Sequence, residues 1–164
     1  MVFNGSGRRG EIVRAAFCQV ATVGFEGLRL RPIAAEVGVD QSTLHHHFPT
    51  KQDIVAGIAE YAISQFASTP TARTLRAHLD HLQQLLVDRP EVFVVTAELQ
   101  LRARRDPAVR AVMARHEAAW RAWLSELVGS PDAAELVIAV VDGVQLSPES
   151  AQAAFRQLIT LFDR

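Results

Sequence analysis

One short run, Gln41-Ser42-Thr43-Leu44-His45-His46-His47-Phe48-Pro49-Thr50-Lys51, concentrates side chains that form hydrogen bonds. Gln41, Ser42, Thr43, His45 and His46 can donate to or accept from base edges and phosphates. The Gln41 amide can bracket an adenine, and Thr43 offers a hydroxyl beside a methyl that suits a thymine. Lys51 is a point charge suited to phosphate, as are Arg29 and Arg31 upstream. This chemistry is recognition rather than bond-making. The chain shows no nucleophile-base arrangement, paired-carboxylate motif, phosphate loop or His-Glu metal signature, so no enzyme is expected.

The adjacent His45, His46 and His47 suggest a metal, but neighbouring helical residues point about 100° apart and cannot converge on one ion. His78 and His81 could share a face, yet no third ligand accompanies them, and they read as a solvated edge beside a leucine stripe. No metal or cofactor is expected. A second set, Phe93, Thr96, Gln100, His116 and Trp120, with Trp123 beside it, mixes aromatic walls with polar points. Such a set lines either a small-molecule cavity between helices or an ordinary aromatic core, and His116 is either a ligand contact or a hydrogen-bonded core histidine.

Positioning the recognition run requires two short helices crossing steeply, with a small residue at their contact and a residue free to take positive φ at the turn. Ala34 and Gly38 supply these, and residues 34–48 make the turn and the second helix. Apolar residues recur with period 3.6 and no alternating β-branched runs occur, so the chain is read as all-α with about nine helices. The first runs from Gly10 to Val23, with Val13, Phe17 and Val20 inward and Gly24 ending it. The second spans Leu30 to Val37. The third spans Gln41 to His47, with Asp40 as N-cap and Leu44 and Phe48 inward. Thr50 to Asp53 has a capping-box pattern opening the fourth.

Further on, Leu75, Leu79, Leu82 and Leu86 form a stripe ending near Pro90, and Val92 to Leu101 is apolar enough for a central helix. Asp106-Pro107 opens a long helix that Gly129 closes. Pro131 to Gln145 and Pro148 to Phe162, the latter capped by Ser147, complete the set. Their apolar faces, carrying Val137, Val140, Val144, Phe155, Leu158 and Phe162, are either interior or the surface of a two-protomer four-helix bundle.

The 164 residues, 49% of them hydrophobic, can bury a real core. A net charge of -1 argues against binding nucleic acid by bulk charge, but residues 1–51 carry six basic against four acidic side chains and residues 52–164 eleven against fourteen. Cys18 has no disulfide partner and sits in an apolar run, where it should pack as a small hydrophobe in a reducing cytoplasm. No membrane-length apolar stretch is present, and Met1 to Gly7 reads as a flexible arm.

Gly24-Phe25, Ile33-Ala34, Gly38-Val39 and Ser42-Thr43-Leu44-His45-His46-His47-Phe48-Pro49-Thr50-Lys51 together resemble the TetR family of bacterial transcriptional regulators. More weakly, Arg89-Pro90-Glu91, Arg105-Asp106-Pro107 and Asp142-Gly143 resemble segments of that family's second domain. The resemblance implies a helix-turn-helix DNA-binding domain at residues 1–52 and a ligand-binding and dimerisation domain at 53–164. It implies a homodimeric repressor in the cytoplasm, partnered by a double-stranded DNA operator and an unidentified small-molecule effector. Three departures stand out. His45 occupies a position where the family usually has Tyr, which exposes that contact to pH near neutrality. Leu28-Arg29 replaces a common Thr or Ser pair, so Arg29 must take over the phosphate contact. The chain is also short for the family. The rival reading is a helical small-molecule or metal-binding protein in which the helix-turn-helix is only structural.

Overall fold

The computed structural model describes residues 7–66 and 72–162, and among these it contains helices and no strands. In chain order they are α1 (Arg8–Gly27), α2 (Leu30–Val37), α3 (Gln41–His47), α4 (Lys51–Phe66), α5 (Leu75–Asp88), α6 (Pro90–Ala103), α7 (Pro107–Val128), α8 (Pro131–Leu146) and α9 (Ala151–Phe162). The expected arm at Met1 to Ser6 lies outside the described residues, and Gly7 forms the N-cap of α1 at φ 81°.

Most helix ends follow local chemistry. The Asp40, Thr74 and Ser130 side chains accept from the backbone N–H three residues on, and Asp106 accepts from both Ala108 and Val109. Thr50 and Asp53 close a reciprocal capping box: the Thr50 N–H donates to Asp53 Oδ2 at 2.8 Å and the Asp53 N–H to Thr50 Oγ1 at 3.2 Å. Gly38 and Gly129 end α2 and α7 in the left-handed region. The last helix departs from expectation. Ser147 makes no side-chain cap; a 3-10 turn at Pro148–Ser150 precedes α9, and the Ser150 hydroxyl donates to the Ser147 carbonyl.

Gly24 interrupts α1 rather than ending it. Its backbone takes φ 66°, ψ 175°, and one more turn follows to Gly27. The break leaves the Phe25 N–H without its helical acceptor, and that group donates to Glu98 Oε2 on α6 at 3.4 Å.

Two apolar cores result. The first joins α1–α4 to α6 through fully buried Ile12, Phe17, Leu28, Ile33, Leu44, Phe48, Ile54 and Ile58. The second joins α5, α8 and α9 through Leu79, Leu82, Val137, Val144, Phe155 and Leu158. The expectation that α6 is central is met: it packs against α1, α4, α5, α7 and α8. Cys18, expected in the core, is on the exposed face of α1, because Ile12, Ala16 and Val20 take the buried stripe.

Candidate nucleic-acid interface and interior cavity

Helix α3 is held from beneath by Leu44 and Phe48, both fully buried between α1, α2 and α4. The same helical period turns Gln41, Ser42, His45 and His46 outward and leaves Thr43 half-buried at the margin. The first turn of α3 is fixed by Asp40, whose Oδ1 accepts from the Thr43 N–H at 2.7 Å and the Ser42 hydroxyl at 2.8 Å. These hydrogen bonds hold the Asp40 carboxyl below the ordinary range. Lys51 is exposed in the first turn of α4, on the far side of Pro49. Arg31 is exposed on α2, whereas the Arg29 guanidinium folds back onto the carbonyls of Glu26 and Leu28.

Two supports were not read from the sequence. Arg9 donates to the His47 carbonyl at 3.0 Å and lays its guanidinium 4.3 Å from the Phe48 ring centroid, bracing the C-terminal end of α3. Arg8 does the same for α2 through the Val37 carbonyl at 3.1 Å. Their charge was legible. Their partners, 29 and 38 residues away, were not.

The second site is a cavity of about 750 Å³ bounded by α4 to α8. Thr96, Gln100, His116 and Trp120 line it, as do Trp123, His78, Glu117 and Asp142. Phe93 does not; it is buried and packs edge-to-face on Phe66 at 5.3 Å. His78 corrects the expectation of a solvated edge. It is 5% exposed, accepts from the Trp120 indole N–H at 3.3 Å and meets the Trp123 ring at 4.8 Å. Burial, with a smaller push from His81, lowers its pKa to about 4, and burial also lowers that of His116, so both imidazoles are neutral at neutral pH. A histidine three residues after Leu75 and one before Leu79 lies on the edge of the apolar stripe, and that was the available signal.

The residues expected at a protomer contact divide. Val137, Val144, Phe155 and Leu158 are buried within the chain, where α5, α8 and α9 pack together, and offer no surface to a partner. Val140 and Phe162 stay half-buried beside exposed Leu136, Leu146 and Leu161. Among the described residues, no three His, Cys, Asp or Glu side chains are grouped to hold a metal, and no helix is long and apolar enough to cross a membrane.

A helix-turn-helix with a polar outer face, joined to helices that bound a largely apolar cavity, is the architecture of a class of helical DNA-binding regulators. Family models make the assignment specific. Residues 12–58 match that of the bacterial regulatory proteins of the tetR family, and residues 69–160 match a tetracyclin repressor-like C-terminal domain. The chain belongs to the TetR family of bacterial transcriptional regulators. It is 30% identical over 109 residues to the HTH-type transcriptional regulator CymR of Pseudomonas putida, a match covering 62% of this chain and 54% of CymR. The chain thus spans about half the length of the curated relatives it matches. A TetR-family structure from Streptomyces coelicolor A3 superposes with a TM-score of 0.80 at 28% identity, covering 94% of this chain and 98% of that one. The multidrug binding protein EbrR, solved with ethidium, gives 0.77 at 27% identity, covering 95% and 99%.

Proposed function

We propose that this chain is a sequence-specific DNA-binding repressor that acts as a homodimer on a pseudo-palindromic operator and is released by a small-molecule effector. The observation that carries the reading is the outward face of α3, Gln41, Ser42, Thr43, His45 and His46, set on a scaffold that Leu44 and Phe48 fix from below. A helix so mounted can enter a major groove about 12 Å wide, with Lys51 and Arg31 on flanking phosphates. Residues 1–52 carry this surface and residues 53–164 the effector and dimer surfaces. The exposed Leu136 and Leu161, with Val140 and Phe162, form the dimer contact on α8 and α9. EbrR is a multidrug binding protein, which supports an effector role for the cavity here. Occupancy favours the state that binds DNA less well and shifts the population toward it.

The test is operator selection from random duplexes followed by affinity measured across salt concentrations. Log affinity should fall linearly with log salt. Lys51→Ala should lower that slope by about one while weakening all sequences alike, and Thr43→Ala should cost about 1–3 kcal/mol on the selected operator and relax base preference. If both variants bind as the parent does, α3 is not the reading surface.

A further inference from the structure

Residues 102–115 hold five arginines, Arg102, Arg104, Arg105, Arg110 and Arg115, against one acid, Asp106, in a chain whose net charge is -1. They gather around the turn between α6 and α7. Two of them shape that turn. Arg102 pairs with Asp106 at 3.3 Å, and the Arg110 guanidinium donates to the carbonyls of Ala103 at 2.9 Å and Arg104 at 3.3 Å, satisfying the C-terminal end of α6. Arg104 and Arg105 are exposed, and among the described residues their guanidinium groups have no carboxylate or carbonyl partner.

The turn stands against the DNA-facing part. Asp106 Oδ2 accepts at 2.6 Å from the amide of Gln52, the residue after Lys51, and the Arg102 guanidinium lies 5.2 Å from the ring centroid of Phe25, four residues before Arg29. It is thus lodged between the start of α4 and the end of α1, close to the exposed Lys51 on one side and the entry to α2, with exposed Arg31, on the other. Arg105 is one residue, about 3.8 Å along the chain, from the Gln52 contact. Asp53 and Glu98, on the neighbouring elements, are held in the α4 capping box and on the Phe25 N–H. A guanidinium fork matches phosphate oxygens, and a duplex presents one phosphate about every 1.7 Å of its axis, so cations placed beside Lys51 meet more backbone. We propose, on the reading that α3 enters the major groove, that Arg104 and Arg105 form a second phosphate-binding site for the same duplex, outside the helix-turn-helix and indifferent to base sequence.

The test titrates the full chain into the selected operator and into a scrambled duplex of equal length, by fluorescence anisotropy, between about 0.1 and 1 M salt. Arg104 also lines the cavity and Arg105 does not, so Arg105→Ala is measured alone as well as in the pair. Arg105→Ala should lower the salt slope by about one, and the double variant Arg104→Ala, Arg105→Ala by about two. Operator and scrambled duplex should weaken by the same factor, about eightfold per arginine at the low-salt end, with parent and variants converging toward 1 M. The double variant Arg104→Lys, Arg105→Lys should keep the parent's slope, and circular dichroism checks that each variant is folded. An unchanged slope in the double alanine variant, or an equal loss in the lysine variant, overturns the second site and leaves the α3 reading standing. A parent that binds both duplexes alike, with the slope still falling in the alanine variants, overturns the α3 reading and leaves the phosphate site. A parent that binds neither duplex overturns both.

Discussion

Buried next to two tryptophans, the His78 imidazole accepts one hydrogen bond, and its Nδ1 has no partner. That environment tolerates the neutral ring and penalises the cation, which is why its pKa is lowered from 6.5 to about 4. The unfolded chain therefore takes up this proton first. Stability from the neutral ring is present in full above about pH 6.5 and is lost as pH falls toward 4, by about 3 kcal/mol at the limit. Asp40, Asp53 and Asp106 are also shifted down, but from a lower starting value, so their contributions are lost only as pH falls below the ordinary carboxylate pKa of 3.8. Urea midpoints measured between pH 7 and pH 4 should thus fall steeply in the parent. The slope should flatten in His78→Leu, whatever that variant's stability at neutral pH; an unchanged slope would show that His78 is not the group responsible.

At the level of elements, two glycines bound the DNA-facing part, and their surroundings rank them. Gly38 is left-handed with open space where a Cβ would stand, so Gly38→Ala should cost about 1 kcal/mol from backbone strain alone. Gly24 combines φ 66° with ψ 175°, and a Cβ there would sit 3.3 Å from Glu98 Oε1, the carboxylate that satisfies the Phe25 N–H. Gly24→Ala should cost more, about 2–3 kcal/mol, and equilibrium denaturation of the two variants checks the order. The same contrast explains what could be read from the chain. Bounds of α2, α3 and α7 were legible because Gly38, Asp40, Asp106 and Gly129 act on groups within a few residues. Which apolar face meets which neighbour is not local information. The stripe of α8 and α9 was visible, but the inward seating of Val137 and Phe155, and the outward one of Leu146 and Leu161, depend on the distant α5. The outward face of α3 was legible because its period is short and its anchors, Leu44 and Phe48, belong to the same run.

Across the whole molecule, α4 and α1 pack on α6 and α7, and Asp106 is one polar link in that contact. Its Oδ1 caps α7, and its Oδ2 accepts from Gln52 at 2.6 Å and Arg102 at 3.3 Å. Gln52 neighbours Lys51, Arg102 is on α6 with Gln100, and α7 carries His116 and Trp120, so one carboxylate links the first turn of α4 to two helices that bound the cavity. Burial raises its pKa, but the hydrogen bonds from Gln52, Val109 and Ala108 and the charge of Arg102 outweigh this, and the carboxyl stays ionised. Asp106→Ala should cost about 1–2 kcal/mol through the lost cap and the stranded donors. Gln52→Leu keeps the cap and removes only the link to α4. If the link carries the coupling, Gln52→Leu should bind effector and operator separately as the parent does while the effector weakens operator binding less, a loss read by repeating the DNA titration with effector present. In the proposed homodimer such coupling would act on the spacing of two α3 helices, which a pseudo-palindromic operator would set at about 34–36 Å, and a single protomer has no spacing to change. Leu136 is 44% exposed and Leu161 55%, and neither lines the cavity. The double variant Leu136→Glu, Leu161→Glu should therefore sediment as a monomer with an unchanged helical spectrum. Its affinity for the full operator should fall to that for a half-site and lose its response to the effector; a variant that remains dimeric would move the protomer contact away from α8 and α9.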